Sequence, residues 1–204
     1  MKITDFYDDL MPRLPGADES LIEHETFAAI RKLCEEGWAW TITLTMSVRK
    51  GQKRVYLDPM PENTKVGYIL SASLGTRTMT PLVALPLNED EGSPMSFYME
   101  DTGTMRLNPI PDKDYPDGLT ITATVIPMNK KVTIPDMFNT HYRDTVIDAV
   151  CHRMMIMSSK PWTNPSMGVH HGKSMKSGIK RIRDITNRRY GMGDNTWSFP
   201  RGFR

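Results

Sequence analysis

The spacing of the apolar residues changes twice along the chain, and those two changes constrain the fold more than any other feature. Phe27, Ile30, Leu33 and Cys34 recur three and four residues apart, the repeat of one helical face. From Trp40 the period drops to two: Ile42, Leu44, Met46 and Val48 alternate with Thr41, Thr43, Thr45 and Ser47, as in a strand with one buried face. Beyond Ile134 the helical spacing returns in Phe138, Tyr142, Val146, Ala149, Val150, Met154 and Met157. A helix, then strands, then helices predicts an α+β protein.

Local signals set expected boundaries. Residues 1–17 contain Pro12, Pro15 and Gly16 and read as an extended lead-in. Ser20-Leu21-Ile22-Glu23 has the form of a capping box, in which serine and glutamate satisfy free backbone donors at a helix start. Gly37 is the expected left-handed cap at its end. Lys50-Gly51 predicts a hairpin joining 42–48 to 54–57. Residues 66–73 and 77–83 predict a second hairpin, 96–99 and 105–107 a third, and 119–126 a seventh strand. Asp136 is the expected N-cap of a helix reaching about residue 159. After Lys160-Pro161-Trp162-Thr163-Asn164-Pro165, Asn164 can cap a last helix whose first position Pro165 occupies without losing a needed N–H. Met175, Ile179, Ile182 and Ile185 form its expected stripe. Gly168, Gly172 and Gly178 lie inside it; each weakens a helix by about 1 kcal/mol relative to alanine, so they predict close approach by another backbone. The expected architecture is α+β: a helical bundle of one N-terminal and two C-terminal helices (1–37 plus 135–190), an inserted antiparallel β-sandwich (38–134) and an extended basic C-terminal tail (191–204).

Composition narrows the class. A chain of 204 residues, 39% hydrophobic and 25% charged, can bury a core, which excludes fibrous, disulfide-scaffold and largely disordered proteins. Only Cys34 and Cys151 are present, without metal-type spacing, so a reducing compartment is expected. No apolar run approaches the roughly 18 residues of a membrane span, and the acidic, polar start is unlike a signal peptide. The chain therefore reads as soluble and unexported. The net charge of +2 hides a split: residues 1–172 carry 17 basic and 22 acidic side chains, residues 173–204 carry 9 and 2. A basic terminal segment follows a mildly acidic body.

Catalytic constellations are scarce. There is no phosphate-cradling glycine loop, no Gly-x-Ser-x-Gly and no His-Glu-x-x-His. His170 and His171 are adjacent on a helix, so their side chains diverge by about 100° and read as a solvated pair rather than metal ligands. The same angle separates Cys151 from His152, and Cys151 reads as a buried structural thiol. Glu89-Asp90-Glu91 and Asp112 with Asp114 lie beside glycine or proline and read as solvated loop charge. No catalytic residue, cofactor or metal is nominated, and a non-enzymatic protein is expected.

The C-terminal segment interleaves cations with rings. Lys180, Arg181, Arg183, Arg188, Arg189, Arg201 and Arg204 accompany Tyr190, Trp197, Phe199 and Phe203. Cations with stacking rings can bind single-stranded nucleic acid, and Trp, Tyr, Phe and Arg are also preferred anchors of protein interfaces. Rings concentrated in a terminal segment require something to cover them.

Taken in order, the short motifs resemble the head-to-tail adaptor (gatekeeper or tail tubular) proteins of short-tailed bacteriophages. The series begins with Leu14-Pro15-Gly16, then Leu33-Cys34-Glu35-Glu36 followed by Trp38 or Trp40. It continues with Tyr56-Leu57, Pro94, Tyr98, Leu107-Asn108-Pro109 and Ile134-Pro135-Asp136, and closes with the 160–165 corner and a last helix rich in Arg and Lys. The Lys-Pro-Trp-x-Asn-Pro corner is its most specific piece, and the series spans nearly the whole chain. Cys151-His152 departs from it, standing where small residues are expected. The resemblance implies a virion structural protein, assembled in the host cytoplasm, with about a dozen copies closing a ring. That ring would join the portal protein to the tail nozzle or tube and form part of the DNA ejection channel, through which genomic DNA passes without specific binding. It also implies a portal-docking tail made of Arg188, Arg189, Tyr190, Trp197, Phe199, Arg201, Phe203 and Arg204, folding as it binds. The alternative is a nucleic-acid-binding protein that uses this basic aromatic segment.

Overall fold

The computed structural model describes residues 1–58, 60–84 and 90–190. Its described residues are α+β, with five helices and mainly antiparallel sheets. In order they are α1 (Tyr7–Leu10), α2 (Glu19–Gly37), strands β1 (Thr41–Val48), β2 (Arg54–Tyr56), β3 (Thr64–Leu74), β4 (Arg77–Thr78), β5 (Thr80–Pro81), β6 (Glu91–Gly92), β7 (Ser96–Met99), β8 (Thr104–Asn108), β9 (Ile110–Pro111) and β10 (Tyr115–Pro127), then α3 (Met137–Thr140), α4 (Arg143–Met155) and α5 (Pro165–Tyr190). No described helix is long and apolar enough to cross a membrane.

The N-terminal segment is not an extended lead-in. A 3-10 turn, Ile3–Phe6, runs into α1, because Phe6, Leu10 and Leu14 stand four apart and bury fully in the helical core. Arg143 fastens this segment to α4: its Nε meets Asp9 Oδ2 at 2.7 Å, an Nη donates to Asp5 O at 2.9 Å, and the guanidinium lies 5.3 Å from the centroid of the Phe6 ring.

Helix α2 buries Ile22, Ala29, Ile30, Leu33 and Cys34 completely. Each of its larger aliphatic side chains contributes about 1.5–3 kcal/mol by leaving water. Its N-cap is Asp18 rather than Ser20: the Asp18 carboxylate accepts from Ser20 N–H at 2.8 Å. A negative cap also complements the helix dipole. At the other end Trp38, not Gly37, takes the left-handed conformation, at φ 56°.

The described strands form two four-stranded sheets, ordered β1-β10-β3-β4 and β2-β8-β7-β5, and a small β6-β9 pair. Pairing is antiparallel except for β5 with β7 and β6 with β9. The hairpin expected at Lys50-Gly51 does not form. The turn, with Gly51 at φ 75°, instead carries the chain from one sheet to the other, so β1 pairs with β10 and β2 with β8. The expected second hairpin is also shorter. After two residues of β4, Met79 buries at a switch point and β5 joins the second sheet beside β7. The β7–β8 hairpin and the β10 strand form as the sequence predicts.

Leu44, Val48, Ala72, Leu119 and Ile121 of the first sheet share one apolar cluster with Val55, Phe97, Met105 and Leu107 of the second. Helices α2, α4 and α5 pack on one another around another cluster. Strand β10 belongs to both: Leu119, Ile121 and Ala123 face the strand cluster, while Val125 and Ile126 join the helical one. Thr122 and Thr124 are buried as well, so the second half of β10 has no solvent face.

The helix expected from Asp136 to about residue 159 is interrupted. Helix α3 ends at Thr140, α4 begins at Arg143, and the helix stops at Met155. The Asp136 side chain makes no cap hydrogen bond. Phe138 is fully buried beside the break, with the Tyr142 ring edge-on to it at 5.9 Å.

Candidate functional site

The expected site lies at the C-terminal end, so α5 is its scaffold. Asn164 caps this helix, accepting from Met167 N–H at 3.2 Å on its side chain and from Gly168 N–H at 2.8 Å on its carbonyl. Gly168, His171, Gly172, Met175, Ile179, Ile182 and Thr186 form the buried face. Ile185, expected in the stripe, is instead 50% exposed, because it lies about 100° from Thr186 at the edge of that face.

The three glycines bring α5 against α4. A methyl group at Gly168 would lie 2.8 Å from Ile156 Cγ2, one at Gly172 2.7 Å from His152 Nδ1, and one at Gly178 2.5 Å from Thr145 Oγ1. The close approach predicted from the sequence is present, although side chains of α4 and its C-terminal cap, more than backbone, fill the space.

Of the nominated docking residues, Arg188, Arg189 and Tyr190 close α5. Trp197, Phe199, Arg201, Phe203 and Arg204 lie outside the described residues. Tyr190 and Thr41 share a hydrogen bond at 3.0 Å between their hydroxyl oxygens, which seats the end of α5 against the start of β1. The Arg189 guanidinium lies 5.6 Å from the Tyr190 ring centroid. Burial raises the pKa of the nearby Tyr142 hydroxyl, and Arg189 partly opposes that shift.

One group of residues at this junction was not singled out as a site from the sequence. The Trp38 and Tyr68 rings stack at 5.2 Å with planes 5° apart, and the Arg183 guanidinium lies 4.2 Å from the Trp38 centroid. This stack ties α5, the end of α2 and β3 together. A left-handed conformation costs a bulky residue roughly 1–2 kcal/mol, and cation–π contact on Trp38 offsets part of that. The three residues are far apart in sequence, so only the Gly37-Trp38 helix end marked the place.

The other candidates separate. His171 is buried, with Nδ1 at 2.7 Å from Asp148 Oδ1, whereas His170 is exposed; the expected solvated pair is corrected for His171, which lies on the buried stripe. His152 Nδ1 is 2.8 Å from Gly168 O. Cys151 is fully buried, and burial is the main cause pushing its thiol up to about 11. An imidazole–carboxylate pair can orient a base, but this thiol is neither exposed nor readily ionised as a nucleophile. Asp114 accepts from Lys50 N–H at 2.7 Å and Asp112 from the Tyr115 hydroxyl at 3.4 Å, so both carboxylates serve the loops. Among the described residues no group of three or more His, Cys, Asp or Glu side chains is placed to hold a metal ion.

An apolar groove of about 400 Å³ runs between β3 and β7, lined by Val66, Tyr68, Ile69, Phe97 and Met99, with Asp101 at its polar end. Backbone hydrogen bonding from Gly103 is the leading cause holding the Asp101 carboxyl below its usual range. No family model matches the chain, and no curated protein matches it.

Proposed function

We propose that this chain is a non-catalytic virion structural protein, an adaptor that closes into a ring of about twelve copies between portal and tail nozzle and forms part of the DNA ejection channel. The observation that carries the reading is the meeting of two motifs from opposite ends of the resemblance. A methyl group at Gly16 would lie 3.7 Å from Pro161 Cβ and Cγ, so Leu14-Pro15-Gly16 packs beside the 160–165 corner. Leu14 and Trp162 are buried in the same helical cluster. The strands lie between α2 and α3 in sequence, which supports a helical bundle (1–37 plus 135–190) with an inserted β-sandwich (38–134).

On this reading the residues from Arg188 onward form the portal-docking arm, and the surfaces of the strand region are available to the nozzle. Trp197, Phe199 and Phe203 would bury on the portal while Arg201 and Arg204 pair with its acidic groups. Because the arm is covered only when the portal is present, assembly is sequential. Electron microscopy of the purified chain, alone and with its portal, tests the proposal. A ring of about twelve copies on the portal is expected; a chain that stays monomeric beside the portal overturns it. Deleting residues 197–204 should leave a folded protein that does not join portals. A truncated chain that unfolds would assign those residues to the core instead.

A further inference from the structure

We infer that the outward face of α5 is a sequence-independent contact for the phosphate backbone of duplex DNA. Helix α5 carries Lys173, Lys176, Lys180, Arg181, Arg183, Arg188 and Arg189 against the single acid Asp184, and every one of these cations is exposed. At about 100° per residue, all but Arg189 fall within an arc of about 160° centred opposite the buried stripe. No described carboxylate forms an ion pair with any of them; the ion pairs of the described residues lie elsewhere. Among the described residues, Arg183 makes a cation–π contact with Trp38.

Such an arrangement opposes helix stability. Lys176 and Lys180 are four apart, Lys173 and Lys176 three apart, and like charges at those spacings repel on a helix. A polyanion relieves that repulsion. From Lys173 to Arg183 the helix rises about 15 Å, a length over which one DNA strand presents about four phosphates at about 3.4 Å each.

The composition of the face separates DNA from an acidic protein partner. Interface cores between proteins are depleted in lysine and enriched in aromatic residues, whereas α5 itself contributes three lysines to this arc and no ring but the exposed His170, the Trp38 ring under Arg183 coming from the end of α2. This inference does not rest on the adaptor proposal: it uses none of residues 191–204, and its test is confined to Lys173, Lys176 and Lys180, which lie before the docking arm that begins at Arg188.

Fluorescence anisotropy of the full chain on a labelled duplex of arbitrary sequence, from about 50 to 200 mM salt, tests it. Each phosphate contact adds about −0.9 to the slope of log affinity against log salt, so a slope near −4 is expected. The triple variant Lys173→Glu, Lys176→Glu, Lys180→Glu should lose at least about tenfold in affinity and reduce the slope by about 3. The same charge change in the strand region, Lys50→Glu, Lys65→Glu and Lys113→Glu, should shift affinity by less than about threefold. All six side chains except the half-buried Lys65 are exposed, and a thermal melt of each variant checks folding. Absence of binding at low salt overturns the inference, as does equal loss in both triple variants. Tighter binding to a single strand of equal length overturns it too, and so does displacement of the duplex by polyglutamate at equal or lower charge concentration. Microscopy of the same variants keeps the two proposals apart: rings on portals without DNA affinity overturn only this inference, and DNA affinity without rings overturns only the adaptor.

Discussion

Helices α2 and α5 enter the same apolar cluster but treat their outer faces in opposite ways. On α2 both cations are paired one turn on, Arg31 with Glu35 at 2.9 Å and Lys32 with Glu36 at 2.6 Å. On α5 the cations have no carboxylate partner among the described residues. The inner faces differ too. Helix α2 packs with full side chains and has one glycine at its last position, whereas α5 gives up side chains at three positions to let α4 approach. Helix α2 is built for the core alone; α5 trades helix propensity for proximity and leaves its charge free for something outside the described chain.

The glycines give the largest test of that contrast. Gly178→Ala would place a methyl 2.5 Å from Thr145 Oγ1 and 2.6 Å from Cγ2 of a buried threonine. Overpacking of this kind destabilises by about 1–3 kcal/mol, read as a lower urea midpoint with an unchanged slope. Adding Thr145→Ala should recover much of the loss, because both clashing atoms are then gone. In α2 the same substitution should have the opposite sign. A methyl at Gly37 would make only ordinary contacts, none closer than the 3.5 Å to Ile179 O, and Gly37 is not the left-handed residue. Gly37→Ala should therefore be neutral or stabilise by up to about 1 kcal/mol. If both substitutions destabilise equally, the packing distinction between the helices fails.

Charge gives a smaller effect, again of opposite sign. Lys176→Glu puts a carboxylate three residues from Lys173 and four from Lys180, and should stabilise the free protein by about 0.2–0.5 kcal/mol. Glu35→Lys breaks the pair with Arg31, replaces it with repulsion, and should destabilise by a similar amount. Chemical denaturation at low and high salt checks both, since screening shrinks each change. If Lys176→Glu destabilises, the α5 cations are already satisfied.

The sequence made some of this legible because the controlling interactions are local. Asn164, Pro165 and the Met175–Ile179–Ile182 spacing marked α5, and its glycines announced a close neighbour. What it did not reveal depends on distant partners. Residues 1–17 look like a loop around Pro12 and Pro15, yet Phe6, Leu10 and Leu14 are drawn into the core, with Arg143 holding Asp9 at 2.7 Å. The Lys50-Gly51 turn was visible, but turn chemistry does not choose the next strand's partner; β2 pairs with β8 instead, with Val55 buried in the cluster it shares with Met105 and Leu107. Adjacency on the helix showed that His170 and His171 diverge, though not that Asp148 would claim one of them. At the junction, Arg188, Arg189 and Tyr190 were legible from composition, whereas the Arg183–Trp38–Tyr68 stack joins three elements and has no local signature.

The helix starts give the finest comparison, through acid. The Asp18 carboxyl is held below its ordinary pKa, first by the hydrogen bond from Ser20 N–H. A carboxyl with a lowered folded value contributes stability that is present above its unfolded pKa and is lost as pH falls through the folded one. The cap of α2 should therefore weaken below about pH 4, near the unfolded aspartate value. Asn164 carries no titrating group, so the cap of α5 should not change across that range. Hydrogen exchange read amide by amide should show faster exchange at Ser20 as pH falls from 5 to about 3, once corrected for the intrinsic rate. Met167 N–H, held by Asn164, should keep its protection. Asp18→Asn keeps an acceptor but removes the charge, and should abolish the acid response at Ser20 without touching Met167. If Ser20 keeps its pH response in Asp18→Asn, the acid sensitivity of α2 comes from elsewhere in the helix and the contrast between a charged and a neutral cap falls.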